Sequence, residues 1–306
     1  MTNAQFLQNL EVPVGKVDVV LDTDAYNEID DQFAIAYMLS ATDTINVRGI
    51  CAAPFLNNRS VSPADGMEKS YREILKLLKL ANRQALCEIV YRGSEDYLMD
   101  EKTPVQSPAA KFMAKQAEEY SPERPLYIVA IGAITNVASA LLLNPNMKEN
   151  TVVVWLGGNG LHWMDNREFN LMQDIAAARV LFGCGVPLVM LPCLGVVDRF
   201  RTTRYELEHW LLGKNDLCDY LVRQVVQEAE SYAAGIPWSR VIWDATAIAW
   251  LTGQGRPFFE SELRHGPMPG YDHQWTLDSQ SHPIRYIQSV NRDAVMWDLF
   301  TRLANI

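Results

Sequence analysis

Short, nearly all-apolar runs recur along this chain, separated by segments whose apolar positions repeat three and four residues apart. Runs of the first kind predict buried β-strands, and segments of the second kind predict α-helices. Strands are expected in the run from Val17 that ends at Asp22 and Asp24, and at 45–53, 85–90, 126–131, 151–156 and 187–191. Helices are expected from Asp30-Asp31 onward and at 64–80, 109–119, 134–143 and 174–181. The second part is more helical, with helices predicted at 203–212, 216–233, 243–251 and 292–304 and a late strand at 283–289. The Gly- and Pro-rich stretch 253–270 reads as loop. Strands this apolar, alternating with helices, predict an α/β fold: a mainly parallel, doubly wound central sheet flanked by helices, with a helical C-terminal extension. No Ser- or Gly-rich linker interrupts the chain, so residues 1–306 are expected to form one domain.

In such sheets ligands bind beyond the carboxyl ends of the strands. Asp22 and Asp24, Asn57 and Asn58, Ile131-Gly132 and the loop from Gly157 to Asn170 all fall at such ends. The acidic stretch Asp22-Thr23-Asp24…Asp30-Asp31 is the densest chemistry among them. Carboxylates that converge repel one another unless a cation or shared protons neutralise them, and an all-oxygen site suits a hard cation. The plainer reading is solvated acids at a helix N-terminus, where negative charge is favourable in any case.

Composition narrows the partners. Of 306 residues, 48% are hydrophobic and 21% charged, ordinary values for a globular protein. The net charge of −10 disfavours nucleic acid and anionic membranes and suits an uncharged or cationic small molecule. Five scattered cysteines without a C-x-x-C pair argue against structural zinc and a disulfide framework, so a reduced, cytoplasmic setting is expected. The N-terminus lacks the basic and apolar regions of a signal peptide, and no stretch is long and apolar enough to span a bilayer.

With D-x-D at Asp22–Asp24, a D-D pair at Asp30-Asp31, Gly132-Ala133-Ile134-Thr135-Asn136, Gly157-Gly158 with Glu168-Phe169-Asn170, and Trp243-Asp244, the chain resembles the inosine–uridine-type nucleoside hydrolases. These are metal-dependent α/β N-ribohydrolases, and the motifs stand in the family's order over most of the chain. The resemblance implies a calcium ion held by Asp24, Asp31, Asp244 and the backbone carbonyl of Ile131. It implies Asp24 as general base toward a calcium-bound water, with Asp22 behind it. Asp30 and Asn170 would meet ribose hydroxyls, Glu168 would face the other end of the sugar, and Asn57 stands near a family asparagine. The substrate would be a small nucleoside, split into ribose and free base, and the assembly a homo-oligomer. Read without the resemblance, Asp244 is a helix cap, Glu168 and Asn170 are loop polars, and Asn57 is a turn former.

Two departures from the family pattern bear on specificity. Trp243 stands where some members carry a histidine that serves as acid for the departing base. Tryptophan offers a stacking face instead, which favours a purine, with Trp163, Tyr232 and Trp238 as further candidates for a base pocket. The turn between the acid pairs, Ala25-Tyr26-Asn27-Glu28-Ile29, is longer than the family's, and could carry Tyr26, Asn27 or Glu28 into the sugar site. Asn166 and His162 are candidates for the family's ribose-contacting asparagine. Two other classes compete: a nucleoside-binding protein without turnover, and a D-x-D phosphotransferase with Asp22 as nucleophile. The latter leaves Glu168-Phe169-Asn170 and Trp243-Asp244 unexplained.

Overall fold

A computed structural model describes residues 1–306. After helix α1 (Asn3–Asn9), the chain alternates β1 (Val17–Thr23), α2 (Asp31–Ser40), β2 (Ile45–Ala52), α3 (Pro63–Leu80), β3 (Val90–Arg92), α4 (Pro108–Gln116), β4 (Leu126–Ala130) and α5 (Thr135–Leu143). Then come α6 (Met147–Asn150), β5 (Thr151–Leu156), α7 (Phe169–Gln173), α8 (Ile175–Gly183) and β6 (Leu188–Leu191). The remainder holds β7 (Arg201–Thr202), α9 (Arg204–Trp210), α10 (Asp216–Ala233), β8 (Arg240–Val241) and α11 (Ala245–Thr252). It ends with β9 (Phe259–His265), β10 (Pro267–Pro269), β11 (Trp275–Leu277), β12 (Pro283–Val290) and α12 (Arg292–Ala304).

Eight strands form one sheet in the order β3-β2-β1-β4-β5-β6-β12-β9, parallel throughout except for the antiparallel edge pair β12–β9. Side chains alternate between its two faces. Val19 and Leu21, Val129 and Ile131, and Val152 and Val154 join one core, packed against α2, α3, α10, α11 and α12. Val20, Ile128, Val153 and Trp155 join the other, packed against α4, α5 and α8. Because both faces are covered, the strands read as apolar runs rather than as alternations. In α2, every residue from Asp31 to Leu39 is buried, so that helix is apolar on all sides except where its acids begin it.

The strand order reverses direction between β1 and β4, which are neighbours in the sheet. That reversal opens a crevice beyond their carboxyl ends, and Asp24 and Ile131 are the residues that follow those two strands.

Two expectations are corrected. The segment expected as a strand at 85–90 is mostly a 3₁₀ helix, Gln84–Ile89, and pairing begins only at Val90. The stretch 253–270, expected as loop, contains edge strand β9 and the short β10. Strand β9 carries Glu260, Glu262 and Arg264 in a strand that is half in solvent, so it lacks the apolar signature of the inner strands. Charged side chains on an edge also discourage pairing with another chain.

Candidate active site

A cavity of about 220 Å³ lies at this crevice. Its walls come from the turn after β1 (Asp24, Asn27, Glu28), the start of α2 (Asp30, Asp31), the ends of β4 and β5 (Ile131, Leu156, Asn159), the stretch 167–170, Cys193 and Leu194, and the start of α11 (Trp243, Asp244). The residues expected to line the site are therefore brought together apart from Asn57, and Asp22, expected behind Asp24, is not in the wall. Asn57 does not line the cavity; its side-chain amide donates to Asn27 Oδ1 at 2.6 Å and so holds a residue that does. Asp22 also stays outside, pointing to the opposite face of the sheet, where Asn136 donates to its Oδ1 at 2.8 Å. Held there, Asp22 cannot reach a substrate in the cavity, which removes the phosphotransferase reading.

The acids pack tightly. Carboxylate oxygens of Asp30, Asp31 and Asp244 lie within 4.8 Å of one another. Asp30, expected as a ribose contact, thus belongs to the tight group, whereas Asp24 stands just outside it. Both carboxylate oxygens of Asp24 are buried without a hydrogen-bond partner. Burial pushes the Asp24 carboxyl well above the usual carboxylate range, and Asp31 and Asp30 add to the rise. Asp244 is pushed up by burial and by the same neighbours, and Asp30 by burial, Glu28 and Asp31. Asp31 rises to about 6, mainly through burial, with the Thr23 hydroxyl donating to it in opposition. Unpaired buried carboxylates at this density are costly, and a cation is the ordinary compensation.

Neighbouring segments set this geometry. Gly132 lets the end of β4 pass close to Asp24: a Cβ there would stand 3.0 Å from Asp24 Oδ1. Asn136 ties the ends of β1 and β2 to the segment after β3, donating to Asp22 and to Ala52 O at 3.1 Å and accepting from Ser94 N at 2.7 Å and Ser94 Oγ at 2.8 Å. Thr135 donates to Asp174 Oδ2 at 2.8 Å, and Asp174 caps α8. The Gly132–Asn136 stretch therefore positions the site without lining it.

Glu168 is the N-cap of α7. Its carboxylate accepts from the backbone N–H groups of Gly158, Asn170 and Leu171 at 2.8–2.9 Å. Those bonds oppose the burial that raises its carboxyl above the usual range. Asn170 donates to Ile131 O at 3.2 Å and Leu156 O at 3.0 Å, which leaves its Oδ1 to accept. Since a carbonyl carries two lone pairs, Ile131 O can still offer one to a ligand.

The longer turn contributes Asn27 and Glu28 to the wall, while Tyr26 faces solvent, 40% exposed. Glu28 is paired with Arg240, which also stands 3.6 Å from Glu228. None of Trp163, Tyr232 and Trp238 lines the cavity; Trp163 and Tyr232 are exposed and Trp238 packs on the core. Asn166 and His162 do not line it either: Asn166 Oδ1 accepts from Asn159 N at 2.8 Å, and Asn159 is the asparagine in the wall. Asn159, Arg167, Cys193 and Leu194 were not foreseen. Asn159 directly follows Gly157-Gly158 at the end of β5, a position that could have pointed to it. Nothing in the sequence marks the other three.

A family model described as inosine-uridine preferring nucleoside hydrolase matches residues 19–296. The pyrimidine-specific ribonucleoside hydrolase RihA of Escherichia coli O1:K1 / APEC is 30% identical over 238 residues, covering 68% of this chain and 75% of that protein. Among solved structures, the plant nucleoside hydrolase PpNRh1 superposes with a TM-score of 0.75 at 18% identity, over 95% of this chain and 99% of that one. A purine-preferring ribonucleoside hydrolase from Gardnerella vaginalis gives 0.73 at 20% identity, over 94% and 98%. These two likenesses speak to the fold, and the match across residues 19–296 to the family. The chain belongs to the inosine-uridine preferring nucleoside hydrolases and is a hydrolase acting on N-glycosyl compounds.

Proposed function

We propose that this protein hydrolyses the N-glycosidic bond of ribonucleosides, purines in preference to pyrimidines, releasing ribose and free base with a calcium ion in the site. The observation that carries this reading is the meeting of four buried acids, Asp24, Asp30, Asp31 and Asp244, in one cavity with Glu168, Asn170 and Trp243. Carboxylates and a carbonyl with a free lone pair are the donors that calcium takes. Asp24, Asp31, Asp244 and Ile131 O would hold it, with Asp30 alongside. When bound, the ion offsets the carboxylate charge and makes water in the site more acidic.

The chain's own groups supply the rest. Asp24, with two unpartnered oxygens, accepts a proton from the attacking water. Asp30 and Asn170 Oδ1 accept from ribose hydroxyls, and the fixed carboxylate of Glu168 orients the far end of the sugar. Groups built for hydroxyls discriminate strongly against sugars lacking them. Trp243 is half-buried in the wall, and its ring would stack on the base. The purine-preferring name of the Gardnerella enzyme accords with this reading, whereas the name of the Escherichia coli relative points to pyrimidines. Trp243 supports the purine reading, because a larger ring system gains more from stacking.

Base release from inosine, uridine and 2′-deoxyinosine, with added calcium and after chelation, tests the reading. Release is expected from inosine above uridine, little from the deoxynucleoside, and none after chelation. Nucleoside binding without any base release would instead favour a binding protein of the same fold.

A further inference from the structure

Resting on the hydrolase reading above, we propose that the β10–β11 hairpin, through Trp275, positions the wall that meets the 5′ end of the sugar and so sets selectivity for a 5′-hydroxyl. The hairpin lies outside the eight-stranded sheet, with Pro267, Met268 and Pro269 paired to Leu277, Thr276 and Trp275. Arg179 of α8 anchors it by donating to Pro269 O at 2.9 Å. From there it reaches back to the segment 157–166 at three points. Trp275 Nε1 donates to Asn159 O at 3.1 Å, and Asn166 N donates to His273 O at 2.8 Å. The Trp275 ring also closes over Gly158, where a Cβ would stand 2.7 Å from Trp275 Cζ2 and the backbone holds φ +74°. Only glycine meets both conditions. In the turn of the hairpin, His273 takes φ +62°, a left-handed conformation that side-chain-bearing residues seldom adopt. Such residues persist where surrounding contacts hold them, and here the turn delivers the carbonyl that Asn166 uses.

The gripped segment is the part of the wall nearest the 5′ end. Asn159 lines the cavity, and the Gly158 N–H is one of the three groups that fix Glu168. The Asn159 side chain is spent on backbone, Nδ2 donating to Asp165 O and Oδ1 accepting from Leu194 N, each at 3.2 Å. A shift of this segment therefore carries Asn159 and Glu168 with it. Asp30 and Asn170 meet the ribose diol in the reading above, which leaves Glu168 to face the 5′-hydroxyl. Glu168 Oε1 accepts only one of the three N–H bonds and keeps a lone pair for that hydroxyl. Asn170, by contrast, is held by carbonyls at the ends of β4 and β5, which the hairpin does not touch. Trp275 does not line the cavity, so it acts as a positioning residue. Its ring meets Phe182 of α8 edge-on, centroids 5.5 Å apart, which ties the hairpin's grip to the core.

Trp275→Phe keeps a ring over Gly158 and removes the indole N–H. With calcium and the whole protein, kcat/KM is compared for inosine, 5′-deoxyinosine, 2′-deoxyinosine and uridine. Wild type should favour inosine over 5′-deoxyinosine by more than about tenfold. The variant should lower that ratio by about three- to tenfold, the worth of one hydrogen bond, and leave the ratios of inosine to 2′-deoxyinosine and to uridine unchanged. A wild-type 5′ ratio near one, or a folded variant with an unchanged 5′ ratio, overturns the inference. So does a parallel fall of all three ratios, which would mark a general loosening. If wild type cleaves none of the four, the hydrolase reading fails instead. A second measurement needs no variant: methyl β-D-ribofuranoside should slow amide hydrogen exchange across 157–166 and 267–277 more than its 5-deoxy analogue does. Equal slowing by the two sugars also overturns the inference.

Discussion

Replacing Asp31 by Asn should stabilise the protein when no cation is present and destroy its response to calcium. In the native fold the Asp31 carboxyl is pushed from 3.8 to about 6, chiefly by burial. A carboxyl raised in the folded state is destabilising when ionised, so the cost is fully present above about pH 6 and disappears as the pH falls toward 4. A rise of that size corresponds to about 3 kcal/mol at pH 7. An amide removes the charge and keeps an oxygen to accept from the Thr23 hydroxyl, so most of that cost should vanish. At about 2 °C per kcal/mol for a chain of this length, the chelated Asp31→Asn protein should melt roughly 5 °C above chelated wild type at pH 7. At pH 4.5 the gap should shrink to about a third, because Asp31 is then mostly protonated in the folded wild type while the unfolded chain is still largely ionised. Calcium should raise the melting temperature of the wild type and leave the variant nearly unmoved. Calorimetry at both pH values, with chelator or calcium, reads all of this. A chelated variant that melts below wild type at pH 7, or that keeps the full calcium shift, refutes the view that the buried Asp31 charge is costly until a cation joins it.

Asp24→Asn should lower kcat for nucleoside hydrolysis by about 10²–10⁴-fold, the range of general-base losses, while leaving the far-ultraviolet circular dichroism unchanged. Substantial residual turnover would remove Asp24 from the role of base. Trp243→Ala should raise KM for purine nucleosides more than for pyrimidine ones, and equal effects on both would contradict stacking. Asn136→Ala strips the partner from Asp22, Ala52 O and Ser94 at a fully buried position, so it should destabilise by about 3 kcal/mol. Asp22 already sits near 7 through burial, and the Asn136 bond holds it from rising further. The Asn136→Ala loss should therefore be greater at pH 8 than at pH 6 in thermal melts, and a pH-independent loss would show that Asp22 is not involved.

The inner strands were legible because both faces of the sheet are covered, which makes each strand an unbroken apolar run ending in turn chemistry. Strand β9 was not, since half of Phe259–His265 faces solvent and its charges resemble a loop. The acids were legible for a related reason: charge that directly follows a buried run has to sit at a strand end. What spacing could not supply was the strand order. Asp24 and Ile131 are more than a hundred residues apart in sequence, and they meet only because β1 and β4 are neighbours where the order turns.

The polar motifs were legible as places but not as roles. Glu168 and Asn170 look in sequence like sugar ligands, yet nine contacts to backbone made by Glu168, Asn170, Asn136 and Asp174 serve first to hold neighbouring segments. The two uses are compatible. A carboxylate fixed by three N–H groups cannot swing away from a sugar, and an asparagine whose amide hydrogens are spent on two carbonyls has only its oxygen left to offer. Preorganisation of this kind costs nothing at the moment of reaction. Glu28 shows the contrary case. It reaches the cavity because the turn between the acid pairs is long, and Arg240, more than two hundred residues later, holds it there. Arg240 offsets the charge that the turn adds, so Glu28 stands in the wall as one half of an ion pair. What the turn presents to a ligand is therefore set by a loop length and a distant arginine, neither of which carries a motif.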